Sequence, residues 1–404
     1  MLSSHRNGYV REAAIGEIAK RDDPLALPAL ILRSSDWVDE LRAAAGPAFL
    51  TVWRNRAGED QTAAIPLLEH LVSARSRFTA EAVIALDEFF AEVDPDTTEL
   101  IDHPDRKVRR VVARRLSKRL STLRLVATIV HQDDTITARV LAQELTGRDD
   151  LSDEDLRHLA TSRIGSIRAD ALVWASRRSL ADLKTLLFAG LIDPNAITRS
   201  YAQHVLTGHG FDVHGWYSAA WGKGNQAALP GLVDVANSSD RATAELLINE
   251  SNSSLQLAGL RMMSRVAKPD IANTPRLLDI VASSNSKCSR VALGLVGRDD
   301  EVSRQLEDLA ITSPSEGRRL QLARHLIITD RFTGLAFALR LLSSGDPLGP
   351  TFFDRVDAIW TSRHTGPSSM AKQLLMDRLP GALRRLDAHR QERLIAMMKP
   401  YGIG

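Results

Sequence analysis

One short pattern recurs six times in the first half of this chain, and that recurrence restricts the fold more than anything in its composition. An arginine follows an apolar residue or threonine. A small or β-branched residue comes three positions later, and a large apolar one six or seven positions later. The copies are Val10-Arg11 with Ala14 and Ile18, Leu41-Arg42 with Ala45 and Phe49, Val108-Arg109 with Val112 and Leu116, Ala138-Arg139 with Ala142 and Leu145, Ile167-Arg168 with Ala171 and Trp174, and Thr198-Arg199 with Ala202 and Leu206. The arginines lie 31, 67, 30, 29 and 31 residues apart. The long gap has room for one more unit whose arginine is lost, near Phe78 to Glu88. A fixed period of about thirty residues marks stacked supersecondary units rather than one central core.

Each unit reads as two helices. The second starts around the arginine and carries the i, i+3, i+4, i+7 spacing of a single buried stripe. The first is a shorter apolar stretch such as Ala26–Leu32, Ile65–Val72 or Leu183–Leu187. Asp23-Pro24, Asp193-Pro194 and Asp346-Pro347 fit an acidic N-cap with proline at the first helical position. An aspartate also stands six residues before the arginine at Asp36/Arg42, Asp133/Arg139 and Asp193/Arg199. That position suits it to cap one helix and to pair with an arginine of a neighbouring layer.

Paired helices, an aspartate near the turn, then Val-Arg and a small residue on the second helix resemble HEAT repeats, with the bacterial lyase-type HEAT-like repeats as the nearest group. The resemblance covers the first half well and loosens after residue 208, where Ser289-Arg290 and Arg318-Arg319 are the better copies. It implies an all-α fold, a curved α-solenoid of stacked antiparallel helical hairpins, with about twelve pairs at about 10 Å per layer. The chain then divides into N-terminal repeats (1–207), an irregular Gly/Trp-rich loop or hinge (208–226), and C-terminal helical repeats with an end cap (227–404). Candidate hairpins in the last part are 239–267, 272–297, 300–328, 333–362 and 368–398. The family's members are mostly binding scaffolds. The resemblance therefore implies a macromolecular partner, a protein first of all, held along a concave face lined by the second helices.

The most basic stretch is Asp105 to Leu120, and it follows an acidic one. Glu81, Asp87, Glu88, Glu92, Asp94, Asp96, Glu99, Asp102 and Asp105 occur with no lysine or arginine among them. On a helical wheel Val108, Val112 and Leu116 point inward, and Arg106, Lys107, Arg110, Arg114 and Lys118 fall opposite. Arg115 and Arg119 lie nearer the apolar stripe and must snorkel. In one reading the acidic and basic blocks pair between layers, each exposed pair adding only about 0–1 kcal/mol. In the other, the outward five meet phosphates or an acidic partner. Charge runs are more often solvated faces, and adjacency favours pairing for Arg115 and Arg119.

Residues 208–226 interrupt the rhythm with clustered glycine and with Trp216, Tyr217 and Trp221. These aromatics either fill an enlarged layer or form a contact loop that offers anchors to a partner. His204, His209 and His214 are five apart, which does not align ligands on one helix face, so no metal site is assigned. Trp37 and Trp53 flank a second helix and read as packing residues. The last helix sets Arg384, Arg385, Arg390 and Arg393 against Leu386, Leu394 and Met397, as a polar end cap requires, and Lys399 to Gly404 read as a loose tail.

The net charge of +2 gives no global affinity for polyanions. The single cysteine, Cys288, excludes an internal disulfide and reads as a small core residue. No apolar run at the start has signal-peptide length, and the longest nonpolar stretch, Leu25 to Leu32, is far too short to span a membrane, so a cytoplasmic location is expected. No phosphate-loop, dinucleotide, zinc-protease or nucleophile-elbow motif occurs. No cofactor is implied, and the chain reads more as a scaffold than as an enzyme. The bacterial alkylpurine DNA glycosylases, a HEAT-like family, act with Trp and Asp on a basic concave face. Asp170, Trp174, Arg177 and Arg178 are of those residue types, but in an order and spacing that carry nothing over.

Overall fold

The structure, a computed structural model, describes residues 5–21, 23–56, 58–74, 80–266, 274–283, 286–296, 300–329, 331–359 and 366–403. Among these there are 24 α-helices and no strand. None of those helices is long and apolar enough to cross a membrane. The chain forms two compact units, Met1–Val213 and His214–Gly404. The division falls inside the stretch read as a loop or hinge.

In the first unit, the second helices are α1 (Gly8–Ala19), α3 (Asp39–Arg54), α6 (Arg106–Leu116), α8 (Thr135–Leu145), α10 (Gly165–Arg177) and α12 (Ala196–Gly208). Each begins three or four residues before its recurring arginine. Their partners are α2 (Ala26–Arg33), α4 (Gly58–Ser73), α7 (Thr122–His131), α9 (Asp153–Leu159) and α11 (Leu183–Leu191), all shorter than the second helices except α4. Before α6 that place is taken by a 3-10 turn, Glu99–Asp102. The unit that lost its arginine has α5 (Ala80–Glu92) as its second helix; Phe78 lies outside the described residues. Packing runs from neighbour to neighbour: α2 on α3, α7 on α8, α11 on α12, and α1 on α3, α3 on α5, α6 on α8, α10 on α12. One apolar core follows from Ile15 to Leu180, with Leu41, Ala45 and Phe49, then Val108, Val112 and Leu116, as successive copies of the sequence stripe.

The recurring arginine has two jobs. First, it reaches back to the backbone carbonyl six residues earlier, which lies in the turn that starts its own helix. Arg11 donates to His5 (2.8 Å), Arg42 to Asp36 (2.7 Å), Arg109 to His103 (2.8 Å), Arg168 to Ser162 (2.7 Å) and Arg199 to Asp193 (2.8 Å). Buried carbonyls in such turns need a donor, and a long charged one supplies it. Second, in three of the six copies it meets an aspartate of the next layer, whereas Arg42 pairs with Asp39 of its own helix. Arg11 lies 3.7 Å from Asp36, Arg109 2.7 Å from Asp133, and Arg168 binds Asp193 through two bonds of 2.6 Å. Beside Arg109 on α6, Arg110 adds a second tie to the same layer, binding Asp134 through bonds of 2.9 and 2.6 Å, whereas Arg139 on α8 is exposed.

Another series of arginines was not singled out in the sequence. Arg119 donates to the carbonyls of Phe90 (2.6 Å) and Val93 (3.0 Å), Arg148 to that of Leu120 (2.8 Å), and Arg178 to that of Leu151. Each sits beyond the body of a second helix and reaches back 26–29 residues to cap the layer before it. Lone carbonyls at element ends are satisfied this way.

Four local expectations need correction. The Asp-Pro pairs do not start helices: Asp23 and Asp193 accept from the amides of Leu25 and Asn195, and the cap of α12 is Asn195 itself. Asp346 likewise accepts from Leu348, ahead of the helix Gly349–Ile359. Asx turns of this kind compete with the helical cap. Trp53 is buried against Phe49 and Phe89, but Trp37 is 71 % exposed at the turn before α3. The C-terminal tail is not loose: Tyr401 packs edge-on against Phe332 at 4.9 Å and Ile403 is buried. The expected loop at 208–226 is mostly the helix α13 (Val213–Gly222), and a short 3-10 turn, Gln226–Ala228.

The second unit continues through α14 (Leu229–Val235), α15 (Arg241–Ile248), α16 (Ser253–Val266), α17 (Thr274–Ser283), α18 (Ser286–Leu295), α19 (Asp300–Thr312), α20 (Glu316–Thr329), α21 (Arg331–Ser344), α22 (Gly349–Ile359), α23 (Ser369–Leu383) and α24 (Ala388–Met398). The pairing into hairpins holds for α15 on α16, α17 on α18, and α19 on α20. Then α21 departs from it. It is buried all round, from Phe332 to Leu342, between α20, α22 and α23. A helix apolar on every side is a core helix, not half of an exposed pair. Beside it the carboxylate of Glu307, 1 % exposed, is held by Arg378 at 2.9 Å and Arg340 at 3.4 Å. Arg390 and Arg393 of α24 are paired with Asp354 and Asp357 of α22 on a face that stays in solvent, and Arg384 and Arg385 are exposed as well.

Asp134 tests what the layer ties contribute. Hydrogen bonds from Arg110 first and Thr137 next hold its carboxyl well below the usual carboxylate range, against the opposing effect of burial. A carboxyl whose pKa is lower in the fold than in the unfolded chain stabilises fully above about pH 4 and progressively less below it. Asp134→Asn should lower stability by about 1–3 kcal/mol at pH 7. The gap from the parent protein should shrink steadily below about pH 4. Denaturant unfolding at a series of pH values measures both, and a pH-independent gap would show that the tie is not ionic.

Candidate interaction surfaces

The basic helix α6 distributes its charges between structure and solvent. Its N-cap is Asp105, which accepts from the Lys107 amide at 2.8 Å, and its buried stripe is Val108, Val111, Val112 and Leu116. Of the five outward cations, Arg110 is taken by Asp134, which is itself 9 % exposed. Arg114 is exposed and lies 3.9 Å from Glu69. Arg106, Lys107 and Lys118 are exposed, and none makes an ion pair among the described residues. Arg106 and Lys107 share the first turn, whereas Lys118 is in the 3-10 turn Ser117–Arg119 beyond the helix end. By helical rise the two ends are about 18 Å apart. Arg115 joins the acidic block as expected, at 2.8 Å from Glu69 and 3.5 Å from Asp87. Arg119 instead serves backbone carbonyls.

The aromatic group around α13 is split. Tyr217 is fully buried, with its ring over the backbone of Gly231, where a side-chain carbon would come within 2.1 Å of it. Trp216 packs edge-on against Tyr217 at 5.1 Å and, like Trp221, is half-buried. Tyr217 is therefore a core residue, and its companions present only part of their rings. His214 does not join the other histidines: its Nε2 lies 2.7 Å from Asp240, whose other contact caps the turn at Asn237. Among the described residues no group of three or more histidine, cysteine or carboxylate side chains is placed to hold a metal ion. Cys288 is buried, and its thiol donates to the Ser253 carbonyl at 3.3 Å.

Asp170 and Trp174 share one side of α10, both half-buried. No hydrogen-bond donor reaches the Asp170 carboxylate among the described residues. Burial pushes its pKa up, and the Arg139 charge on α8 partly counters that. Of the two arginines named beside them, Arg178 is committed to the carbonyl of Leu151, while Arg177 is exposed. Asp170 and Trp174 thus share a helix side, and of the two arginines named beside them only Arg178 is committed to the backbone.

Two open clefts have opposite linings. One, of about 890 Å³ in the first unit, runs between the start of α4 and the turn Glu99–Asp102 and carries Glu59, Glu99, Asp102 and His103. Asp102 there is paired with Arg124 at 2.9 Å. The other, of about 720 Å³ in the second unit, lies between α18 and α20 and carries Arg290, Arg318, Arg324 and His325 with no carboxylate among the described residues. Sequence reading marked Ser289-Arg290 and Arg318-Arg319 only as copies of the repeat; that two such copies flank one cleft follows from packing α18 on α20. No protein-family model matches this chain, and no curated protein matches it.

Asp170 gives this section its test. Its raised pKa means that the fold penalises the ionised form, so the penalty is present at neutral pH and disappears as acid protonates the group. Asp170→Asn should melt above the parent protein at pH 7 and level with it below about pH 4. A lower melting temperature at pH 7 would mean that the carboxylate has a partner that stabilises its charge.

Proposed function

We propose that this protein is a non-enzymatic, HEAT-like scaffold, each unit an α-solenoid of stacked hairpins that holds a macromolecular partner, a protein, along the face of its second helices. The supporting observation is the repeated arginine tie. On α1, α6 and α10 it fixes the helix to the turn before it and to the layer beyond it. Successive layers thus present equivalent helix faces, and a row of such faces suits many weak contacts spread over a long partner. Nucleic acid is the competing partner, and the free cations Arg106, Lys107 and Lys118 are what favours it. The commitment of Arg110 to Asp134 weighs against it by interrupting the basic stripe.

Affinity capture from the cells that make the protein, with and without nuclease and over a salt series, separates the two. The scaffold reading expects a discrete protein retained after nuclease treatment at moderate salt. It also expects weak binding of random duplex DNA that Arg106→Glu with Lys107→Glu and Lys118→Glu abolishes without altering protein capture. Tight duplex binding that falls steeply with salt, and no retained protein, would contradict it. Arg110→Glu is unsuitable for this purpose, because it would leave Asp134 facing a like charge and unfold the layer.

A further inference from the structure

We propose that the groove between α18 and α20 recognises an acidic segment of the partner protein, an extended stretch of chain rich in carboxylates with an apolar side chain among them. This rests on the scaffold reading above and specifies which chemistry it recognises. The first support is charge that the fold leaves unmatched. In the same unit Arg319 is answered by Asp346, Arg340 and Arg378 by Glu307, Arg390 by Asp354 and Arg393 by Asp357, while Arg276 is held by the Asn249 side chain and Arg265 by the Asp234 carbonyl. Within the groove Arg318 is used structurally, donating to the Ala282 carbonyl. Arg290 on α18 and Arg324 on α20 are exposed, border the same groove, and have no carboxylate partner among the described residues. Two guanidiniums facing one cleft with no counter-charge create a positive potential that an incoming anion relieves. Guanidinium also matches carboxylate geometry with two parallel bonds.

The second support is the apolar part of the lining. Leu320 borders the groove half-buried, over the buried Leu293, and Ile328 at its end is 82 % exposed. An acidic peptide carrying a leucine or isoleucine uses both kinds of surface. A nucleic-acid strand uses the arginines but not the aliphatic side chains, and among the described residues no tryptophan, tyrosine or phenylalanine borders the groove on which a base would stack. From Gly317 to Ile328 the α20 side runs about 16 Å by helical rise, which accommodates about five residues of extended chain.

The test uses the full chain and fluorescence anisotropy with three labelled probes. One is a peptide of about ten residues, glutamate with leucine at every fourth position. The others are the same peptide with lysine for glutamate, and a single-stranded oligodeoxynucleotide of similar length. The glutamate peptide should bind and the lysine peptide should not. Arg290→Ala with Arg324→Ala should weaken binding about tenfold, the loss expected from two solvent-bordering ion pairs. Lys107→Ala with Lys118→Ala, in the other unit, should leave it unchanged. If the alanine pair melts early, Arg290→Gln with Arg324→Gln replaces it. Absence of glutamate-peptide binding, equal binding by the groove variant, or an oligonucleotide bound more tightly and lost in that variant would each overturn the assignment. Captured partner protein that the groove variant retains undiminished would sink this groove while leaving the scaffold. Failure to capture any protein, with the peptide still bound at the groove, would do the reverse.

Discussion

Short helices stacked in layers have little core of their own, so each layer must be fixed to the next by something besides apolar contact. In this chain a single guanidinium does much of that. It is long enough to reach the carbonyl six residues back and rigid enough to meet an aspartate 24 or 25 residues ahead, as Arg109 and Arg168 do. One side chain thus closes the turn at its own helix start and sets the register of the next layer. The rest of the pattern follows from that geometry. The residue three positions on is small or β-branched and points into the core: Ala45, Val112, Ala142 and Ala202 are all buried. Gly165 shows close approach at a layer boundary, with the side chain of Asn195 lying 2.3 Å from where a Cβ would sit.

This use of arginine changes what a basic stretch means. Helix α6 is the most cationic segment, yet Arg109, Arg110, Arg115 and Arg119 are occupied by aspartate, glutamate or backbone carbonyls. The charge left for a partner lies at the two ends of the helix. In the second unit the situation is inverted. There the sequence is less conspicuously basic, but two arginines, on α18 and α20, border one cleft without a counter-charge among the described residues. Local density of charge in a sequence is a poor guide to the field at a surface, because pairing across layers is decided at a distance of about thirty residues.

The helical repeats were legible because a buried stripe and an arginine recur together; both report on packing, which is periodic. Positions where helices begin were less legible. Asp-Pro looks like a cap, but at Asp193 the carboxylate closes an Asx turn and leaves capping to Asn195. Trp37 was misread because burial of an aromatic was taken from its type, whereas its place in the turn before α3 leaves it in solvent. Residues 208–226 looked irregular because glycines and aromatics break the repeat, yet they support a ten-residue helix around Tyr217. The carbonyl-capping arginines Arg119, Arg148 and Arg178 do recur at intervals of 29 and 30 residues, so a signal for them existed. The cleft between α18 and α20 had none, since it depends on how two repeats are juxtaposed.

The central claim is that the recurrent arginine acts by coupling layers. A double-mutant cycle on Arg168 and Asp193, joined by two bonds of 2.6 Å, measures that coupling directly. Denaturant unfolding of Arg168→Ala, Asp193→Ala and the pair should give a coupling energy of about 1–3 kcal/mol. Losses that simply add would contradict the account, because the arginine would then be serving its own turn alone.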